Sequence, residues 1–312
     1  LLGEGKKHSA GDYLSSAGDV NGDGFDDLLI GAPGAFDTGA AYLVLGSASG
    51  VSSRSLGQSD AIFLGEADDD EAGISVSGAG DVDGDGFDDI VVGALQHKET
   101  GKQAGAAYVV LGSDQLGEVE LSNADAKLLG ESPQDWAGET VSGTGDVNGD
   151  GYADFLVGAP GESTAGEEAG MVYLLMGSAS DVPQMSLVNA NAKLSGEDGW
   201  DSAGMAIAGA GDVNGDGLDD LLIGAPFVIS VTVESGAAYV VLGSVAGVPS
   251  MSLSEADAKL SGDGWWQGAG CAVSGMIDVN NDGFSDVLVG ATGDVSAGDE
   301  AGAAYLVLGS GF

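Results

Sequence analysis

Apolar residues in this chain fall in short runs, and glycine, aspartate and asparagine separate them. In one representative stretch the runs cover residues 74–80, 89–92, 106–111 and 126–129. Runs this short, rich in Val, Ile, Leu and Tyr and without a 3.6-residue period, predict strands and no helices. The same four-strand set recurs along the whole chain without a linker. Four strands in a unit of this size predict a propeller blade, so the expectation is an all-β, five-bladed β-propeller of four-stranded antiparallel blades. The expected blades are 9–66, 72–131, 137–197, 203–263 and 269–312.

Between the first two strands of each unit lies an acidic nonapeptide. Its first Asp recurs after 62, 65, 66 and 66 residues. The ligand positions are Asp19, Asn21, Asp23, Phe25 and Asp27, then Asp81, Asp83, Asp85, Phe87 and Asp89. They continue as Asp146, Asn148, Asp150, Tyr152 and Asp154, and as Asp212, Asn214, Asp216, Leu218 and Asp220. The last set is Asp278, Asn280, Asp282, Phe284 and Asp286. Oxygen side chains at positions 1, 3, 5 and 9 converge when glycine at position 6 permits a tight turn. Position 7 offers its backbone carbonyl. A hard, all-oxygen donor set suits Ca²⁺ better than Mg²⁺ or a softer metal, so five Ca²⁺ sites are expected. The loop resembles the first half of an EF-hand. Position 12, however, holds Ile30, Val92, Val157, Ile223 and Val289 in place of Glu, and strand-like runs follow, which excludes an EF-hand. A metal-free Asx-rich turn is the plain alternative. Five repetitions of crowded carboxylates argue against it.

Charge narrows the partners. The chain has 50 acidic and 8 basic residues, a formal charge of −42, and five divalent cations would leave it strongly negative. Nucleic acid and anionic membranes are therefore excluded as partners. One cysteine, Cys271, excludes an intramolecular disulfide. Extracellular calcium modules work at roughly 10⁻⁴–10⁻³ M ion, which predicts an extracellular or cell-surface protein, and its freedom from disulfides predicts a bacterial one. No membrane span is legible.

The outer strands read Ala-Lys-Leu-x-Gly-acid at 126–131, 192–197 and 258–263, and Ala-Ile-Phe-Leu-Gly-Glu at 61–66. Residues 1–4, Leu-Leu-Gly-Glu, are the tail of that motif, and the chain ends in a third strand at 304–309. The offset predicts that residues 1–4 close the ring beside the strand at 303–308. These units resemble FG-GAP repeats, found in the propeller of integrin α subunits and in bacterial surface proteins. Gly31-Ala32-Pro33, Gly158-Ala159-Pro160 and Gly224-Ala225-Pro226 carry the resemblance, with Gly93-Ala94-Leu95 and Gly290-Ala291-Thr292 as variants. Ala-Gly replaces Phe-Gly throughout, and five units replace the integrin seven.

The resemblance implies that ligands bind on the face opposite the calcium loops, through the loops joining one blade to the next. Those loops are 3–11, 65–73, 130–138, 196–204 and 262–270, and they hold all four tryptophans: Trp136, Trp200, Trp265 and Trp266. Tryptophan serves as a hot-spot or sugar-stacking residue, or as packing between blades. Lys6, Lys7 and His8, and His97, Lys98 and Lys102, are expected at solvated loop tips. The predicted function is a calcium-stabilised extracellular binding or adhesion module with a protein or carbohydrate ligand. A rigid building block of a surface assembly is the alternative. A propeller glycosidase needs a spaced carboxyl pair, and the calcium loops absorb most of the acids, so no enzyme is expected.

Overall fold

The computed structural model describes residues 1–180, 182–230, 233–298 and 301–310. The expected end of the last blade, residue 312, lies outside them. The chain forms two compact units, Leu1–Gly143 with Met176–Asn189, and Thr144–Leu175 with Ala190–Phe312.

In the first unit, β1 (Tyr13–Gly18), β2 (Asp27–Ala32), β3 (Ala40–Val44) and β4 (Ala61–Leu64) form an antiparallel meander. β5 (Ser75–Gly80), β6 (Asp89–Ala94) and β7 (Ala106–Val110) begin a second one. β8 (Glu118–Glu120) leaves it to pair in parallel with β4, and β9 (Ala126–Leu129) completes it. β10 (Thr140–Gly145) spans the boundary between the units.

In the second unit, β11 (Asp154–Ala159) and β12 (Met171–Leu175) pair. β13 (Met185–Ser186) belongs to the first unit, parallel to β9. β14 (Ala192–Ser195) joins β12. β15 (Ala206–Gly211) and β16 (Asp220–Ala225) follow, then the small hairpin of β17 (Ile229–Ser230) and β18 (Val233–Glu234). β19 (Ala237–Val241) pairs with β16, β20 (Met251–Ser252) lies parallel to β14, and β21 (Ala258–Ser261) pairs with β19. The last sheet is β22 (Ala269–Ile277), β23 (Asp286–Ala291) and β24 (Ala303–Val307).

The all-β expectation holds, and the strands of the second repeat fall within two residues of their expected bounds. The fifth repeat departs from its expected four strands: among the described residues its sheet has three, and β24 pairs with β23 rather than with residues 1–4. The short parallel strands β8, β13 and β20 were not expected. Each leads into a single 3-10 turn whose leucine, Leu121, Leu187 or Leu253, is buried. Residues 1–4 act in the same way as an outer-strand tail. Leu2 bridges Ser55 in parallel, as Leu64 faces Glu120, Leu129 faces Ser186 and Ser195 faces Ser252. The Leu2 N–H donates to the Arg54 carbonyl, and the Leu56 N–H donates to the Leu2 carbonyl.

In the first four repeats every residue of the third strand is buried. Tyr42, Tyr108, Tyr173 and Tyr239 are fully buried there. Three of them face a lysine of the outer strand in register: Tyr108 with Lys127, Tyr173 with Lys193 and Tyr239 with Lys259. The Lys193 and Lys259 ammonium groups lie over the tyrosine rings, 5.8 and 5.3 Å from their centroids. The charge thus faces the ring, and that of Lys259 also pairs with Glu197 at 2.7 Å.

Candidate metal loops and binding loops

The first strand of a repeat breaks register at its last residues, between Ser16 and Gly18, Gly78 and Gly80, and Gly209 and Gly211. These bulges turn the chain into the acidic loops. Within a loop the carboxylates face the backbone amides. Asp81 accepts from the Gly84, Asp85 and Gly86 N–H groups at 2.6, 3.1 and 3.0 Å. Asp83 accepts from Asp85 and Asp85 from Phe87, at 3.0 and 2.9 Å. Asp146, Asp212 and Asp278 repeat the pattern. So does Asp19 with Asp23 and Gly24.

Position 9 does something the sequence did not reveal. Asp27, Asp89, Asp154, Asp220 and Asp286 are all buried. Asp89 accepts from Val82 N–H at 2.8 Å and, through its other oxygen, from Gly112 N–H at 2.7 Å. Asp27, Asp220 and Asp286 make the same pair of bonds. This carboxylate therefore ties the loop to the end of the third strand, while each oxygen keeps a lone pair. Burial pushes Asp89 up to about 7, with Asp83 and Asp81 adding to the rise and the two amides opposing it. Asp220 is pushed up to about 6 for the same reasons, with Asp216 and Asp212 as the neighbouring charges.

In the second loop, carboxylate oxygens of Asp81, Asp83 and Asp89 lie within 4.8 Å of one another. Asp85 stands outside that group. The other four loops carry asparagine at position 3, so a neutral oxygen replaces one carboxylate there. The donor chemistry fits a hard divalent cation: oxygens only, crowded, with one carboxylate buried at position 9.

Neighbouring loops also touch within each unit. A side chain at Gly22 would strike the Phe87 ring at 2.7 Å, and one at Gly215 would strike Phe284 at 2.5 Å. Asp88 accepts from the Asp19 N–H at 2.7 Å, and Asp219 accepts from the Asp146 N–H at 2.9 Å. Position 7 therefore serves the preceding loop through its side chain, and position 8 through its carboxylate.

The loops between repeats share one frame. Position 5 is left-handed in every one: Lys7, Asp69, Gln134, Trp200 and Trp266. Position 6 turns inward, and Asp70, Asp135, Asp201 and Gln267 are buried there. These side chains accept from the amides of Ala67, Ser132, Asp198 and Asp263. A buried cap at position 6 holds the loop, and its neighbours point outward. Trp200, Trp265 and Trp266 are 54, 64 and 66% exposed, and Trp136 is half-buried.

The FG-GAP repeat model matches residues 13–44, 72–110, 137–175 and 203–241. The chain is 31% identical over 247 residues to integrin alpha pat-2 of Caenorhabditis briggsae, covering 72% of this chain and 18% of that protein. It is 30% identical over 240 residues to chicken integrin alpha-V, covering 72% and 20%. Mouse integrin alpha-IIb is 34% identical over 188 residues, covering 57% and 17%. This chain is an FG-GAP repeat protein. It spans about a fifth of the length of these integrin relatives.

The FG-GAP glycines have a steric basis. A Cβ on Gly31 would sit 2.1 Å from the Gly73 carbonyl oxygen, and one on Gly93 or Gly224 would sit 2.0 Å from that of Gly138 or Gly270. The glycine of the GAP and the glycine of the next repeat's Ala-Gly thus meet main chain to main chain.

The loop-tip expectation fails at one residue. Lys6, Lys7, Lys98 and Lys102 are exposed and His8 is partly so, as expected of loop tips, but His97 is 4% exposed. It occupies a repeat position that also buries Ala35, Glu162, Val228 and Asp294. Ala35 and Val228 at that place were the available signal that the position faces inward. No helix among the described residues is long and apolar enough to cross a membrane.

Proposed function

We propose that this chain is the calcium-held, ligand-binding part of an extracellular or cell-surface adhesion protein, of the bacterial type. The five acidic loops each take one Ca²⁺ through positions 1, 3, 5 and 9 and the carbonyl at position 7. The ion supplies charge compensation and cross-links the loop; it performs no reaction. The five repeats are the blades of a propeller. The ligand, a protein or a carbohydrate, binds the loops between repeats. The exposure of Trp200, Trp265 and Trp266 on loops held by buried caps carries this reading, since large rigid aromatics in water are interaction residues. The same exposure counts against a purely structural building block, in which these rings would be packed away.

Glycan and extracellular-matrix protein arrays test the reading. Binding should depend on Ca²⁺ and drop at least tenfold in a Trp265→Ala, Trp266→Ala double variant that retains the parental melting curve. Arrays that stay blank, or binding indifferent to both tryptophans, would remove the ligand face from this proposal.

A further inference from the structure

The second repeat contains a polar cluster that the acidic loops do not account for. The His97 side chain is 5% exposed, and its Nδ1 lies 2.8 Å from Oδ2 of Asp70, whose side chain is 1% exposed. The Tyr108 hydroxyl stands 3.4 Å from the same nitrogen and donates to Glu66 at 3.1 Å. With Nδ1–H donating to Asp70, Nε2 carries the ring's lone pair. Nε2 is buried and has no hydrogen-bond partner; its closest acid, Glu99, is 3.5 Å away. Ligand atoms of Glu66, His97 and Glu99 lie within 4.8 Å of one another. Lys127 Nζ bridges the two glutamates, 3.0 Å from Glu66 and 2.5 Å from Glu99.

The frame around this cluster is common to the repeats, but the imidazole is not. An acid after the Leu/Ser-Gly of the outer strand and a tyrosine on the third strand recur, as Glu197 with Tyr239 and Asp263 with Tyr305. Only the second repeat places a histidine between them. A carboxylate holding one ring nitrogen while the other faces a second acid is the arrangement that orients a metal-bound imidazole. One nitrogen and two carboxylates favour a borderline transition ion over Ca²⁺, which wants six to eight oxygens.

We propose that Glu66, His97 and Glu99 form a transition-metal site, taking Zn²⁺ with water as a further ligand and with Asp70 as the positioning residue. Lys127 stands in for the cation when the site is empty. It swings toward solvent when the metal enters, and the exposed Glu99 side chain closes the remaining distance. The site is separate from the calcium loops and does not depend on the adhesion reading.

The test is a zinc titration of the full chain by calorimetry in saturating Ca²⁺, repeated with Co²⁺ by visible absorption. One equivalent should bind, with cobalt bands of a nitrogen–oxygen site. His97→Gln and Glu99→Gln should each weaken binding about tenfold or more, and Asp70→Asn about tenfold through the lost orienting bond. Lys127→Met should tighten it, while His8→Gln should change nothing. Should His97→Gln fail to fold, Glu99→Gln and Lys127→Met still decide the matter, since one must weaken and the other strengthen binding. No zinc heat at one equivalent, or zinc bound equally well after His97→Gln, overturns the site and leaves the cluster as a buried ion-pair network.

Discussion

The second and fifth repeats spell their third strands almost alike, Ala106-Ala107-Tyr108-Val109-Val110 and Ala303-Ala304-Tyr305-Leu306-Val307, yet bury them differently. Every residue of β7 is buried, and none of β24 is. Tyr108 is fully enclosed, with β6 on one side and β9 on the other; Tyr305 is 45% exposed. Among the described residues β24 pairs with β23 alone. The strand sequence therefore does not confer its own burial. The outer strand does, by closing the backbone edge.

The contrast can be broken most strongly at the loops. A ligand in tenfold excess over its Kd stabilises by about 1.4 kcal/mol per site, so five independent calcium sites contribute about 7 kcal/mol. Chelation at low salt should lower Tm by well over 10 °C in a scanning-calorimetry trace. The second repeat, whose loop alone carries four side-chain carboxylates at the ligand positions, should lose hydrogen-exchange protection before the others. A melting curve indifferent to chelator would end the calcium reading.

Next in size, Tyr108→Ala should cost about 3–5 kcal/mol in chemical denaturation, as large aromatic truncations in cores do. Tyr305→Ala should cost less than about 1 kcal/mol. Equal losses would mean that β24 is covered in solution.

The paired glycines sharpen the comparison further. A methyl on Gly93 meets the Gly138 carbonyl at 2.0 Å, whereas one on its fifth-repeat counterpart Gly290 meets the Ala272 Cβ at 3.3 Å. Gly93→Ala should lose about 1–3 kcal/mol. Gly290→Ala should lose under about 1 kcal/mol, read from the same denaturant midpoints.

The smallest expected effect is on pH. Burial raises Asp89 to about 7, above its ordinary value of 3.8. A carboxyl whose folded pKa is raised binds its proton more tightly when folded, so stability is greatest below the unfolded value and declines as pH rises through the folded one. Calcium-free protein should therefore lose stability between about pH 4 and pH 7. The loss is on the order of 1 kcal/mol after allowance for solvent at the loop mouth. Asp89→Asn should flatten that slope in Tm measured against pH.

The strands were legible because their apolar runs are bounded by glycine and acidic turns, and the loop positions because they recur five times. The parallel pieces were not. Glu118-Val119-Glu120 has no pattern of its own, and only the edge of β4 makes it a strand. The inward aspartates of the loops between repeats were equally hidden. Asp70 and Asp69 are neighbours in composition, but the left-handed turn at Asp69 sends only the Asp70 side chain to 1% exposure. His97 read as a loop tip because its neighbours are polar; its burial depends on Asp70, twenty-seven positions upstream. The exposure of both Trp265 and Trp266 follows from Trp266 being left-handed, which breaks the alternation a strand would impose.

The glycine-to-carbonyl contacts within each unit have a consequence for anyone who would copy the repeat. Where Gly31 meets Gly73, or Gly224 meets Gly270, successive sheets touch main chain to main chain with no side chain between them. At those points the closest approach is set by the backbone alone, while the loops above and below can be rewritten as cargo. A designer who keeps two glycines per repeat inherits the spacing and is at liberty to change almost everything the outside world sees.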